Sequence, residues 1–257
     1  MNKLISLIKQ NKKSFILSVV IDFIFSIVFI ISFYMIVTKV FDILLRMSTM
    51  LDTISDYDAL QSISQSVEFF SLYNSLLKWL VILALSLYVI WVVFQSLSFY
   101  LGLKLFRKLK FWDYFKKFCV YSLFYYLIIV GTFILAVYLS ILNARLPIPI
   151  FPQIVINFIV GIIILITLYF GAITLTAISK YKIVKGCQKT MQIGLKKFKK
   201  VAVYFLISVL LLVFAVFVLY LLFKVNIFLL YAGFILLFIP TITFLRISYF
   251  YYLQKLL

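Results

Sequence analysis

Residues 201–223 read VAVYFLISVLLLVFAVFVLYLLF, twenty-three consecutive positions without a charge, and beyond Lys224 a second uncharged run continues to Leu245. A hydrocarbon core about 30 Å thick takes roughly 20 apolar residues of helix to cross. Water is absent there, so each run must satisfy its own amides and carbonyls, and that selects helix. Working outward, equivalent runs cover 146–179, 118–144 and 79–103, and an N-terminal run over 14–38 is interrupted only by Asp22. Trimmed to bilayer length, the runs predict six spans near 15–37, 79–101, 119–142, 154–178, 201–223 and 226–251, with an outer loop over 38–78. The expected fold is all-α, a polytopic transmembrane bundle forming a single domain over 1–257.

Composition agrees. The 257 residues are 66% hydrophobic and 12% charged, half the charge of a typical soluble domain, which is about 25%. The lysines ahead of the first run give it the look of a secretory signal. Its apolar stretch is too long for such an h-region, however, and no small-residue cleavage site closes it, so it reads as an uncleaved anchor.

The 25 Lys and Arg outnumber 7 Asp and Glu, and the excess has a location. Lys3, Lys9, Lys12 and Lys13 precede the first span. Six bases separate the second and third spans, eight separate the fourth and fifth, and Lys255 follows the sixth. Nineteen bases therefore fall on one side, against Lys39, Arg46, Lys78, Arg145 and Lys224 on the other. Short loops rich in Lys and Arg stay in the cytoplasm, so a multi-pass protein of the cell membrane with both termini inside is expected.

A Lys-Lys pair stands before the first span of each hairpin: Lys12-Lys13, Lys116-Lys117 and Lys199-Lys200. Each pair closes a basic segment with helical apolar spacing. Leu105, Leu109, Trp112, Phe115 and Cys119 form one stripe, Cys187, Met191, Leu195 and Phe198 another, and Leu4, Ile5 and Ile8 a shorter one. Amphipathic helices of this kind lie in the membrane surface with lysines toward headgroups. Lys12, Lys13, Lys116, Lys117, Lys196, Lys197, Lys199 and Lys200 are thus the expected contacts for anionic lipid. The pattern reads either as three parallel repeats, each an in-plane helix followed by a hairpin, or as lysine-rich inner loops without a repeat.

This layout, and in particular Thr174–Val209 with TLTAISKYKIVKGCQKTMQIGLKKFKK, resembles the six-helix prokaryotic membrane domains that accompany some glycerophosphodiester phosphodiesterases and their stand-alone relatives. The resemblance implies a membrane domain without the catalytic phosphodiesterase domain.

Five of the seven acids, Asp42, Asp52, Asp56, Asp58 and Glu68, lie in the outer loop. That stretch has no Gly and no EF-hand spacing, so a solvated face of one or two amphipathic helices is expected rather than a cation site. The second outer loop, with Pro147, Pro149 and Pro152, is expected to be extended. Zero histidines removes the commonest metal ligand and near-neutral proton carrier. Cys119 and Cys187 stand isolated, and no phosphate-binding glycine loop or nucleophile elbow is present. No enzyme activity, metal or cofactor is expected, and lipid and topology account for the bases more simply than nucleic acid does.

Asp22 lies seven residues into the first predicted span, about 10 Å below the interface at 1.5 Å per residue. A charge facing lipid there costs on the order of 2–3 kcal/mol, so it must face protein or water. Ser18 and Ser26 share its helical face, and Arg246 in the sixth span matches its depth, with Pro240 placed to kink that helix. Two readings follow. In one, an Asp22–Arg246 pair fixes the bundle of a lipid-associated scaffold that works with a membrane-protein partner or a second copy. In the other, Asp22, Arg246, Gln95, Asn157 and Thr243 line the path of a small permease. Thr167, Gly171 and Thr174, with Gly161 above them, are expected to form a small-residue packing seam.

Overall fold

The computed structural model describes residues 2–52, 67–145 and 152–257. Among these, 93% are helical and none is in a strand. The helices are α1 (Asn2–Gln10), α2 (Lys12–Asp52), α3 (Val67–Lys104), α4 (Phe111–Arg145), α5 (Gln153–Ala177), α6 (Ile183–Lys196), α7 (Phe198–Val225) and α8 (Ile227–Leu256). Six of them, α2 to α5, α7 and α8, are long and apolar enough to cross a membrane. Asp56, Asp58, Pro147, Pro149 and the side chain of Asp52 lie outside the described residues.

The helices run beyond the expected spans. With 41 residues, α2 is about 60 Å long at 1.5 Å per residue, and α3 begins at Val67. Residues 38–52 and 67–78, expected outside the membrane, therefore continue these two helices. The chain divides into two compact units, one of residues 1–23 with 94–257 and one of Ile24–Val93. Within the second unit, Phe25 meets Phe29 and the edge of Trp91 with ring centroids 5.6 and 6.1 Å apart.

In the first unit the buried side chains gather where the helices meet their basic connections. Leu103, Tyr114, Phe118, Tyr121, Leu175, Ile178 and Phe250 form one cluster, and Tyr169, Ile173, Ile193, Val201, Tyr249 and Leu253 another. Farther along, Val137, Phe158, Leu210, Phe214 and Leu236 are exposed, as large apolar residues of a membrane helix are when they face lipid.

The pattern of surface helices differs from the sequence reading. Short helices precede Lys12-Lys13 and Lys199-Lys200, but none stands alone before Lys116-Lys117. Residues 105–110 are non-helical, and Phe111 opens α4 directly. The stripe expected over Lys104–Cys119 is broken because its first members, Leu105 and Leu109, are drawn into protein, while Trp112 stays exposed. Leu105 packs with Leu4 and Ile247, Leu109 lies against the first cluster, and the Tyr100 hydroxyl donates to Leu109 O at 3.3 Å.

Local chemistry sets the last hairpin. Asn226, in extended conformation, ends α7, and its side chain accepts from the Phe228 amide at 2.8 Å to start α8. One residue thereby makes the connection, an N-cap used as a turn. Farther into α8, Pro240 cannot donate an amide. A π-helical turn over Phe234–Phe238 precedes it, with the Ile239 amide reaching back to Phe234 O, the usual way a helix absorbs such a defect.

The glycines do not act as one seam. Gly161 has open space where a Cβ would sit, whereas Gly171 lies against the Tyr125 ring and Thr174 Oγ1 bonds Tyr125 Oη at 2.7 Å. The tightest approach in this region is Gly194 on α6, where a Cβ would stand 2.6 Å from Phe170. Gly194→Val should therefore cost about 1–3 kcal/mol by overpacking, while Gly161→Val should leave stability unchanged. Thermal unfolding of the two variants in detergent checks this, and equal melting temperatures would contradict the packing described.

Candidate functional site

Three helices bring one polar turn each to a common point. On α2, Ser18 and Asp22 are four residues apart and share a face. On α3 the turn is Gln95 and Ser98, and on α8, after the π turn and Pro240, it is Thr243 and Arg246. Ser18, Ser98 and Thr243 are fully buried, and Asp22 nearly so.

Asp22 and Arg246 form a two-pronged ion pair. Arg246 Nη1 donates to Oδ1 at 3.0 Å and Nη2 to Oδ2 at 2.8 Å. This fork geometry is the strong form of a charged hydrogen bond. Ser98 Oγ donates to Oδ1 at 2.7 Å and Thr243 Oγ1 to Oδ2 at 2.5 Å. Each carboxylate oxygen so receives two donors, which fills the roughly four acceptor positions of the group. On the cation, Nη2 also lies 2.8 Å from Ser18 Oγ and 2.6 Å from Ser98 Oγ, and Nη1 lies 3.4 Å from Gln95 Oε1. The guanidinium stands 5.1 Å from the centre of the Phe99 ring, within reach of its π face. Among the described residues its Nε has no hydrogen-bond partner.

This network holds Asp22, Arg246, Ser18, Gln95 and Thr243 together. It does not include Asn157, which is exposed near the start of α5 and accepts from Gln153 Nε2 at 3.2 Å. Ser26 is half-buried on the part of α2 that belongs to the second unit. Ser98 was not singled out by sequence. Its signal is the run Gln95-Ser96-Leu97-Ser98, the densest polar group inside an otherwise apolar span.

The eight lysines expected at headgroups separate into two kinds. Lys12, Lys13, Lys116, Lys196, Lys199 and Lys200 are exposed. Lys117 is half-buried and donates to Ile178 O at 3.2 Å and Tyr181 O at 3.0 Å, past the end of α5. Lys197 donates to Leu256 O at 3.1 Å, at the end of α8. Both satisfy carbonyls that a helix leaves unpaired at its C-terminus, where a cation is also favoured by the dipole.

Helix α6 carries three faces. Gly186, Thr190, Ile193 and Gly194 are buried, and the helix is tied down by Tyr169 Oη to Gly194 O at 3.0 Å and Tyr121 Oη to Ile183 O at 2.5 Å. Val184, Met191 and Leu195 form an exposed apolar face. Lys185, Lys189 and Lys196 occupy the remaining side at helical spacing.

Removing one half of a buried pair strands the other charge, at a cost of about 3–5 kcal/mol, whereas replacing both with apolar groups is near neutral. Asp22→Leu should therefore destabilise the protein strongly, and adding Arg246→Met should restore most of the loss. Unfolding in detergent micelles measures both, and a double variant no better than the single one would deny the coupling.

No protein-family model matches this chain, and neither a curated protein nor a solved structure matches it.

Proposed function

We propose that this chain is a non-enzymatic, lipid-associated scaffold or assembly component of a cell membrane, multi-pass, with both termini and its lysine-rich connections in the cytoplasm. The observation that carries the reading is the saturation of Asp22. Both of its oxygens are already engaged by Arg246, Ser98 and Thr243, so the one acid inside the helical bundle has no free acceptor to offer a passing solute. A transport site is ordinarily built from broken helices that leave such groups open.

Lipid association rests on the bases. Nineteen of them fall on one side of the expected topology, fourteen in connections and five toward the termini, and a Lys near an anionic leaflet is worth about 1 kcal/mol. The three faces of α6 fit a helix held edge-on by the protein with Val184, Met191 and Leu195 toward acyl chains and its lysines toward headgroups. The partners on this reading are anionic lipids of the inner leaflet together with a membrane protein or a second copy of the chain, and no nucleic acid. The layout likeness to phosphodiesterase-associated membrane domains is in keeping with such an accessory role.

A second reading, a small permease or a transporter's membrane subunit, is favoured by one feature, the buried Arg246 Nε without a partner among the described residues. Proteoliposomes distinguish the two. For a scaffold, the wild type and Asp22→Asn should be equally impermeable to small polar solutes. Flux through the wild type that Asp22→Asn abolishes would overturn the scaffold in favour of the permease. For the lipid part, changing Lys12, Lys13, Lys116, Lys196, Lys199 and Lys200 to Gln should lower co-purifying acidic lipid by about half or more. Lys117 and Lys197 are left intact because they cap helices. Unchanged lipid content would count against lipid association.

A further inference from the structure

The geometry points to a pocket for a phosphate-bearing group between the α3–α4 connection and the end of α5. It deepens the lipid-associated reading by assigning that role to one built site rather than to a diffuse surface.

The cavity measures about 300 Å³ and is walled by Arg107, Lys108, Lys110, Lys117 and Lys180, with Asp113 the one acid among them. Five bases against one acid leave a strong positive potential in a concave space, where low-dielectric walls concentrate the field. Among the described residues the one ion pair is Asp22–Arg246, so no described carboxylate forms an ion pair with these bases. The N-terminus of α4, at Phe111, opens beside them and adds the positive end of a 35-residue helix. The C-terminus of α5 would oppose this with exposed carbonyls, but Lys117 Nζ bonds Ile178 O and Tyr181 O. The negative end is thus covered, while the first turn at the positive end holds Asp113, the one acid of the cavity.

The wall is preorganised. Residues 105–110 alternate between core and cavity. Leu105 is buried, Phe106 and Leu109 lie partly buried against the core, and Phe106 meets the Tyr251 ring at 5.5 Å. Arg107, Lys108 and Lys110, set between these anchors, are exposed and point into the cavity. Fixing the backbone in this way lowers the ordering cost of binding. The volume exceeds what bare phosphate needs and stands at the small end of ligand pockets, which fits a phosphate ester with a small alcohol. A second cavity of about 250 Å³ shares Arg107, Ser179 and Lys180 and runs on past Phe106, Gln254 and Leu257, giving the ester a continuation of mixed polar and apolar lining. Basic pockets between membrane helices are a recurrent receptor for anionic headgroups.

The test uses the full chain in nanodiscs of phosphatidylcholine, titrated with phosphatidylglycerol and, separately, with glycerol 3-phosphate, with bound species counted by native mass spectrometry. The wild type should retain one phosphatidylglycerol. The variant Arg107→Gln/Lys108→Gln/Lys110→Gln should bind it at least about tenfold more weakly. A control of equal charge, Lys39→Gln/Lys78→Gln/Lys224→Gln, at exposed lysines outside both the cavity and the proposed headgroup set, should stay close to wild type. If the triple variant misfolds, the single exposed change Lys110→Glu carries the same expectation. Glycerol 3-phosphate that displaces the lipid would identify a soluble phosphate ester as the natural source, and lipid that resists it would identify the headgroup; either supports the pocket. Equal losses in the two triple variants would overturn the pocket while leaving diffuse lipid association standing. A wild type that binds neither probe would also overturn it, and the six-lysine experiment then decides the broader reading separately.

Discussion

A charge has no stable place among apolar helices unless its opposite is brought to it, and the bond between Asp22 and Arg246 meets that constraint here. The two groups come from helices 224 positions apart in sequence. Either would be costly alone, and their fork leaves no carboxylate oxygen unmatched. The surrounding hydroxyls and Gln95 all come from the same short depth of α2, α3 and α8. The positions of these three helices relative to one another are thereby specified by polar geometry, which apolar packing in a membrane does poorly because lipid tails compete equally well for the same surfaces.

Elsewhere in the first unit the two largest buried clusters lie where the helices meet their basic connections. There, tyrosines do much of the joining. Tyr121, Tyr125 and Tyr169 each bury a ring and place a hydroxyl on a partner from another helix, at Ile183, Thr174 and Gly194. A residue with an apolar body and one polar tip is suited to this depth. Lysines at the same end divide their labour between carbonyl caps and open surface, so a count of charge alone does not say what any one of them does.

How far the sequence could be read follows from the physics of each signal. Six apolar runs of bilayer length leave little freedom, and the helices they foretell are present. Asp22 and Arg246 stood out because each is costly where it lies, and their depths match. The rest was hidden for specific reasons. Ser98 carries no charge, and its one mark is the local density of polar residues over Gln95–Ser98, which does not say which hydroxyl meets Asp22. The separate helix expected before Lys116 fails because Leu105 and Leu109 find protein rather than lipid to cover them, and spacing cannot distinguish those two fates. Lys117 and Lys197 looked like their neighbours because a helix cap is decided by which chain end lies within reach. Helix over 38–52 was legible in its spacing, but not that it would continue α2 unbroken to Asp52, because spacing does not say where one helix ends and the next begins.

The single-residue connection at Asn226 has a bearing on how the molecule comes to be assembled. A turn so short gives α7 and α8 no independent paths, so they must enter the bilayer together as one hairpin. That hairpin carries Arg246. Until that hairpin arrives, Asp22 lacks the Arg246 fork that receives its charge. Arrival of this hairpin is then the event that brings Arg246 to Asp22, and the ion pair acts as a latch between the first and the sixth of the long apolar helices.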